Sequence, residues 1–152
     1  MSLESVRQFF KNHAPDIEVI VTDASSATVA EAAAAHGVAP GRIAKTLSLR
    51  VRDQIVLVVT SGEARLDNRK VKDVFGGRAS MLGGHEVEAL TGHPVGGVCP
   101  FGLVRPLPIF CDVSLKAFDT VFPAAGARNS AVQIEPERLA QLVEARWVDV
   151  CQ

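Results

Sequence analysis

Two neighbouring apolar segments constrain the fold of this chain more than any other feature of its sequence. One extends from Ile43 to Val51 and the other from Gln54 to Thr60, and they are joined around Asp53. The second contains an unbroken apolar run from Ile55 to Val59, which is typical of a strand buried on both faces. We therefore expect two adjacent strands, the second of them in the interior of a sheet.

Helices and further strands are interspersed along the rest of the chain. Thr28 and Glu31 form a capping box at one helix start, Gly37 is the matching stop signal, and Ser2 is expected to cap the first helix. Helices are predicted at residues 3–13, 28–36, 67–75 and 85–90, and a last one from Pro136. Short strands are predicted at residues 17–21, 107–111, 120–122, 131–134 and 147–150. This order predicts one α/β domain over residues 1–152, with a mixed, curved or barrel-like β-sheet surrounded by helices.

The composition narrows the class of protein. A chain of 152 residues with 47% hydrophobic and 22% charged residues is typical of a soluble globular domain. Its apolar runs are shorter than the roughly 18 residues that a membrane-spanning helix needs, and its start does not have the pattern of a signal peptide. The three cysteines are odd in number and scattered, which does not favour a disulfide framework. We therefore expect a cytoplasmic protein without a membrane partner.

Positive charge is concentrated in one part of the chain. The segment from Arg42 to Arg78 holds nine basic and four acidic residues, whereas the whole chain has a net charge of -1. Such an excess can attract a polyanion, although an ordinary solvated surface would also explain it. The candidates for contact with nucleic acid lie around the helix predicted at residues 67–75: Arg65, Arg69, Lys70 and Lys72.

Lys45 is the most informative single residue. Side chains alternate between the two faces of a strand, so Lys45 shares the inward face with Ile43, Leu47, Leu49 and Val51. An unpaired ammonium is costly to bury. Lys45 must therefore pair with an acid, extend along its stem to solvent, or lie at a cavity that accepts an anionic ligand.

A second signal is the segment from His93 to Gly102. Its three glycines and two prolines exclude a regular helix or a central strand. Glycine allows the backbone to approach a ligand closely, so the segment could present a rigid set of backbone donors and acceptors. A structural turn between strands is the alternative interpretation.

Three motifs together resemble the YbaK/ProX family, free-standing relatives of the editing insertion of bacterial prolyl-tRNA synthetase. They are Lys45-Thr46-Leu47, the loop Gly96-x-x-x-Pro100 followed by Phe101-Gly102, and the segment from Gly126 to Ser130. The resemblance implies a mixed sheet with surrounding helices and an enzyme that deacylates tRNA carrying the wrong amino acid. It also implies attack by water without a metal, assisted by the 2′-hydroxyl of the tRNA.

The resemblance implies a role for each matching position. Lys45 would lie near the terminal adenosine and its phosphate, and backbone groups of Gly96, Gly97 and Val98 would hold the ester and stabilise the oxyanion. We further expect Phe101 and neighbouring apolar side chains to select the amino acid by size. The remaining expected substrate contacts are Thr46, Cys99, Pro100, Gly102, Asn129 and Ser130.

Other functions were weighed against this one. Cys99 lies six residues after His93, which raises the question of a thiol nucleophile. The histidines and cysteines do not have the spacing of a metal site, so neither a metal nor another cofactor is expected. The expected partner is the acceptor end of an aminoacyl-tRNA, with an aminoacyl-tRNA synthetase as a further candidate. The alternatives are a non-catalytic tRNA-binding or synthetase-associated module, a hydrolase of small esters and a binder of small metabolites.

Overall fold

The computed structural model describes residues 2–152. Within them, the α-helices are α1 Ser2–His13, α2 Val29–His36, α3 Asn68–Phe75, α4 Gly84–Thr91 and α5 Pro136–Leu142. The strands are β1 Ile20–Val21, β2 Ile43–Val51, β3 Gln54–Ser61, β4 Ala79–Met81, β5 Ile109–Asp112, β6 Phe122–Pro123, β7 Ser130–Ala131 and β8 Arg146–Val148. Short 3₁₀ turns are formed by Pro40–Arg42 and Val113–Ala117. The described part of the chain is thus a mixed α/β structure, as the order of its sequence patterns predicts.

The central feature is the antiparallel pair β2 and β3, which confirms the strand prediction. Their register extends from Ala44 opposite Ser61 to Val51 opposite Gln54. Leu57, Val58 and Val59 of β3 have no exposed surface, so this strand is buried on both faces. The remaining strands of this sheet are arranged on either side of the pair.

The sheet is mixed, and one of its edges has a gap. The strand order is β4-β2-β3-β5-β8, in which β5 and β8 run parallel to their neighbours. β6 pairs with β2 at Ile43 and Ala44, and β4 pairs with β2 at Leu49–Val51. Since β3 occupies the other edge of β2, both strands lie on the same edge. Residues 45–48 of that edge therefore lie between two pairing strands.

Helices cover both faces of the sheet. Val58 packs against Val71 of α3, whereas its neighbour Val59 belongs to the cluster that contains Phe10 of α1 and Leu139 of α5. Because adjacent residues of a strand point to opposite faces, these two clusters lie on opposite sides of the sheet. None of the helices in residues 2–152 is long and apolar enough to cross a membrane.

Local signals predicted helix starts better than strand bounds. Thr28 and Glu31 form the expected capping box, and Gly37 ends α2 in the left-handed conformation. Ser2, however, is the first residue of α1, and its hydroxyl bonds to His93 rather than capping the helix, so that prediction was wrong. β4 was not predicted, and β1 and β7, which pair with each other over two residues, are shorter than the strands predicted at residues 17–21 and 131–134.

Candidate functional site

A cavity of about 310 Å³ lies beside the gap in the β2 edge. Its walls come from the start of α2, the middle of β2, the segment before α4, the loop at 95–98 and the region at 124–131. The lining residues include Ser26, Thr28, Val29, Ala32, Ile43, Lys45, Thr46, Ser48, Leu82, Val95, Gly96, Val98, Phe122, Ala124 and Ser130. The fold thus brings Lys45, Thr46, Gly96, Val98 and Ser130 of the sequence prediction to one cavity.

Polar groups of Thr46 face this gap. The Leu82 N–H donates to the Ser48 carbonyl at 3.1 Å, so the backbone of Ser48 points to the β4 edge. Backbone direction alternates along a strand, and Thr46 therefore points its N–H and C=O to the same edge, between β6 and β4. Within residues 2–152, Thr46 Oγ1 is also buried without a hydrogen-bond partner. Buried polar groups without partners are costly, which favours a site that a ligand completes.

The ammonium of Lys45 is held at the wall of the cavity. Its Nζ donates to the carbonyl of Ala64 at 2.6 Å and to that of Gly62 at 3.3 Å. A Cβ placed on Gly62 would lie 2.7 Å from Cγ1 of the cavity residue Val29, so this turn adjoins the cavity. Burial lowers the pKa of Lys45, and the nearby charge of Arg65 lowers it further, against an opposing effect of Cys151. Lys45 thus lines the cavity while its ammonium is bound by backbone carbonyls rather than by an acid, and its contact with an anionic ligand stays a prediction.

The glycine–proline loop is fixed by contacts with the segment around Gly126. Gly96 has φ +90°, a conformation that favours glycine. A Cβ on Gly97 would lie 2.8 Å from the Ala127 backbone nitrogen, so only glycine fits here without movement. The Gly97 N–H donates to Pro94 O at 2.9 Å, and the Gly97 carbonyl accepts from the Gly126 N–H at 3.0 Å. Both backbone groups of Gly97 are thereby used inside the protein, whereas Gly96 and Val98 line the cavity.

The second half of this loop lies in the core. Cys99 and Phe101 have no exposed surface, and Pro100 is buried as well. The Phe101 ring packs against Phe10 and Phe9, with ring centroids 4.6 and 5.6 Å apart. Phe101 therefore packs in the core beneath the loop and is not among the residues that line the cavity, in contrast to its expected role in selecting the amino acid.

Cys99 and His93 lie close together without forming an activated pair. Cys99 Sγ is 3.5 Å from His93 Nε2, but that nitrogen is 2.7 Å from the Phe101 carbonyl, to which it must donate. Burial raises the pKa of the Cys99 thiol to about 12. A thiol that is protonated, buried and beside an imidazole without a free acceptor is a poor nucleophile.

Asn129 and Ser130 stabilise the turn at the start of β7. The Asn129 side-chain amide donates to Thr22 O at 2.9 Å, which joins this turn to the segment after β1. Ser130 lines the cavity, and its Oγ accepts from the Ala127 N–H at 3.0 Å. Gly102 adopts φ +59° close to the backbone of Ser5 in α1, away from the lining residues.

The four basic residues proposed for nucleic acid lie on and before α3. Arg65, Arg69 and Lys72 are exposed, whereas Lys70 pairs with Asp149 at 3.0 Å and donates to Cys151 O at 2.8 Å. Arg128 was not singled out from the sequence, although it belongs to the segment that carried the resemblance. It is exposed, and its Nε donates to the carbonyl of the cavity residue Val95 at 3.1 Å.

Metal-ligating side chains are dispersed. Among residues 2–152, His, Cys, Asp and Glu do not form a group of three that could hold a metal ion. The cavity instead combines one ammonium, several hydroxyls and backbone amides with apolar walls. This arrangement suits a polar ligand that carries a small apolar group.

Comparisons with known proteins agree with this geometry. Residues 23–142 match the family model described as the aminoacyl-tRNA editing domain. The chain is 47% identical over 154 residues to "Uncharacterized protein YwhH" of Bacillus subtilis (strain 168), with 100% of this chain and 98% of that protein covered. It is 27% identical over 116 residues to "Putative Cys-tRNA(Pro)/Cys-tRNA(Cys) deacylase EbsC" of Enterococcus faecalis (strain ATCC 700802 / V583), covering 75% and 71% of the two chains.

A solved structure of a similar protein has the same fold. It is described as "Crystal structure of a putative trans-editing enzyme for prolyl tRNA synthetase", and it matches with a TM-score of 0.91 at 31% identity, over 99% of this chain and 97% of the other. The fold, the cavity and the family match are consistent with one another over most of the chain. This chain belongs to the family of aminoacyl-tRNA editing domains.

Proposed function

We propose that this protein hydrolyses the ester of a mischarged aminoacyl-tRNA and releases a small non-cognate amino acid, with tRNA-Pro as the first tRNA to test. The observation that carries the proposal is the cavity at the gap in the β2 edge, which Lys45, Gly96 and Val98 line together. The deacylase name of one relative and the trans-editing description of one solved structure support it.

The chemistry assigned to the site is addition of water to the ester carbonyl. The tetrahedral intermediate carries negative charge on the former carbonyl oxygen, and backbone N–H groups directed at that oxygen stabilise it. Gly96 and Val98 are the donors that the loop leaves for this role. The C–O bond to the ribose then breaks, and the departing 3′-oxygen takes up a proton. As the family resemblance implies, the 2′-hydroxyl of the tRNA assists the attack by water.

Lys45 contributes positive charge at the wall of the cavity. Its ammonium is bound by two neutral carbonyls, so its charge is not compensated by those contacts. A partly buried charge interacts more strongly than one in bulk water. We assign Lys45 to the terminal adenosine and its phosphate, where this charge orients the acceptor end.

Selection of the amino acid is assigned to the apolar wall. Val29, Ala32, Ile43 and Phe122 contribute to it, and a cavity of about 310 Å³ is at the small end for ligand sites. A synthetase pocket distinguishes one methylene by only about 1–3 kcal/mol, so a second site that admits small amino acids removes errors that the first cannot prevent.

Arg128 is the basic residue that we assign to a phosphate near the mouth of the cavity. Its Nε is fixed by Val95 O, and it is exposed next to the loop that holds the ester. A guanidinium oriented in this way can bind a phosphate through its remaining N–H groups. Arg65, Arg69, Lys70 and Lys72 remain candidates for more distant phosphates of the tRNA.

Single-turnover hydrolysis with a panel of purified tRNAs tests the function. Each tRNA would be charged with a different small amino acid, and free aminoacyl esters would be tested in parallel. We expect rapid release from at least one mischarged tRNA and much slower release from the free esters. Binding of tRNA without hydrolysis would instead identify a non-catalytic module, and equal rates on free esters would identify a small-ester hydrolase. A synthetase partner is tested separately, by asking whether added prolyl-tRNA synthetase changes the rate.

A further inference from the structure

His93 is a buried histidine with hydrogen bonds at both ring nitrogens. It has no exposed surface. Its Nδ1 lies 2.5 Å from Ser2 Oγ in α1, and its Nε2 lies 2.7 Å from the carbonyl oxygen of Phe101. Its backbone N–H donates to Thr91 Oγ1 at 3.1 Å. The ring therefore connects the start of the loop, the end of the loop and the first helix.

These contacts determine the tautomer of His93. A carbonyl oxygen can only accept, so Nε2 must carry the hydrogen that bonds to Phe101 O. In a neutral imidazole the other nitrogen is then an acceptor. Nδ1 therefore accepts from the hydroxyl of Ser2, which in this geometry is the donor. Burial lowers the pKa of His93, more than the bond to Phe101 raises it, and this keeps the ring neutral.

The bond to Phe101 closes the base of the loop. His93 and Phe101 are eight residues apart, and the chain between them includes Gly96 and Val98 at the cavity. The outer part of the same loop is held by the Gly126 N–H on Gly97 O and by Arg128 on Val95 O. The hydrogen bond between His93 and Phe101 thus joins the two ends of the loop, while the other two hydrogen bonds fix its outer part.

We infer that His93 is a positioning residue for the deacylation reaction: its bond from Nε2 to Phe101 O holds the backbone of Gly96 and Val98 in the orientation that receives the ester. This inference rests on the proposed function for its kinetic consequence. It also assigns to His93 a role through the loop rather than a role as base for Cys99, because its Nε2 is already a donor.

Three substitutions of His93 distinguish a role in positioning the loop from a role that only fills space in the core. The amide of His93→Gln reaches about as far as Nε2 and keeps an N–H for Phe101 O, whereas the amide of His93→Asn reaches only as far as Nδ1. Displacing a reacting group by about 1 Å can cost about 100-fold in rate. We expect His93→Asn and His93→Ala to lower the single-turnover rate by about 10- to 100-fold, and His93→Gln to recover most of it.

The kinetic pattern and the controls complete this test. A loop that is misaligned but still bound by substrate should lower kcat with a change in KM of less than about threefold. His85→Ala removes an exposed histidine of α4 and should leave both constants unchanged. Folded Asn and Gln variants with equal losses, or a folded Ala variant with the normal rate, would overturn the assignment.

A spectroscopic measurement on the unaltered protein covers the case in which the variants fail to fold. Two-bond ¹H–¹⁵N correlation spectra distinguish the protonated from the unprotonated ring nitrogen. We expect Nε2 of His93 to be the protonated one and Nδ1 to be the acceptor. Protonation at Nδ1 instead would overturn the inference. This readout needs no substrate, so failure of the proposed function would show as absent hydrolysis with the expected tautomer.

Discussion

At the scale of single residues, Lys45 is the lysine that lines the cavity among residues 2–152, and we propose that the reaction depends on its ammonium. We expect Lys45→Ala to lower the single-turnover rate by about 100-fold, because an acceptor end that is not oriented misplaces the ester by about 1 Å or more. The fold should persist, since among residues 2–152 the ammonium donates to the carbonyls of Gly62 and Ala64 and forms no ion pair. Circular dichroism and hydrolysis of mischarged tRNA are the measurements.

Lys11→Ala is the matched control for this change. Lys11 is an exposed lysine of α1, so its loss should alter neither rate nor stability. A folded Lys45→Ala variant with the normal rate would remove Lys45 from the reaction. Global unfolding would show that the bonds of its ammonium are structural.

The thiol of Cys99 leads to a second prediction at this scale. Burial raises its pKa to about 12, so the thiol stays protonated at every pH at which the enzyme would be assayed. We expect Cys99→Ser to retain hydrolysis within about tenfold, and iodoacetamide at pH 8 to leave the native protein active. Complete loss of activity in a folded Cys99→Ser variant would restore the nucleophile hypothesis.

At the scale of elements, the position of the loop depends on its close approach to the segment 126–127. A Cβ on Gly97 would lie 2.8 Å from Ala127 N and 2.9 Å from the Gly126 carbonyl carbon, both of them backbone atoms. Gly97→Ala should therefore displace the loop, slow hydrolysis and lower the free energy of unfolding by about 1–3 kcal/mol. Chemical denaturation and single-turnover kinetics measure the two effects.

Gly83 offers the comparison for this change. It caps α4 at φ −70°, and a Cβ there would meet nothing within 4 Å. Gly83→Ala should leave the rate unchanged. Equal rates of hydrolysis for Gly97→Ala and Gly83→Ala would show that the close contact at Gly97 does not affect the reaction.

At the scale of the whole molecule, we propose that the distribution of positive charge determines how tRNA is held. Binding that releases counterions weakens with salt by a log–log slope of about -0.7 to -0.9 per phosphate contact. Replacing both Arg65 and Arg69 by Ala should flatten this slope by at most about two units, and Arg128→Ala by about one. KM should rise more than kcat falls in each case, because these residues position the tRNA.

Titrations of binding at several salt concentrations measure these slopes. An unchanged slope in the Arg65/Arg69 double variant would show that the excess charge near α3 is ordinary solvated surface. An unchanged slope in Arg128→Ala would show that Arg128 does not contact a phosphate of the tRNA.

Metal independence is a further prediction at this scale. Within residues 2–152, potential ligands do not gather in a group of three, and we expect the rate to survive exhaustive chelation. The measurement is single-turnover hydrolysis after dialysis against a chelator. Loss of activity followed by recovery with added zinc or magnesium would contradict the proposed mechanism.

Local patterns in the sequence determined the secondary elements and the family. The capping box at Thr28, the stop at Gly37 and the apolar run of β3 act over a few residues, so their consequences can be read without the fold. Lys45 and the glycine–proline loop can also be interpreted from their residue types. An ammonium is costly to bury without a partner, and glycine allows the backbone to approach a ligand closely.

Only the tertiary structure decided which of these residues meet at the cavity. The gap in the β2 edge exists because β6 and β4, from distant parts of the chain, pair with different ends of one strand. Phe101 is buried because α1 packs against the loop, and the Gly97 carbonyl is used internally because the Gly126 N–H of a later segment donates to it. His93 and Ser2 are 91 residues apart in sequence, and no local pattern indicates their contact. Contacts of this kind arise from packing of the whole chain, since their energy depends on neighbours that the local sequence does not specify.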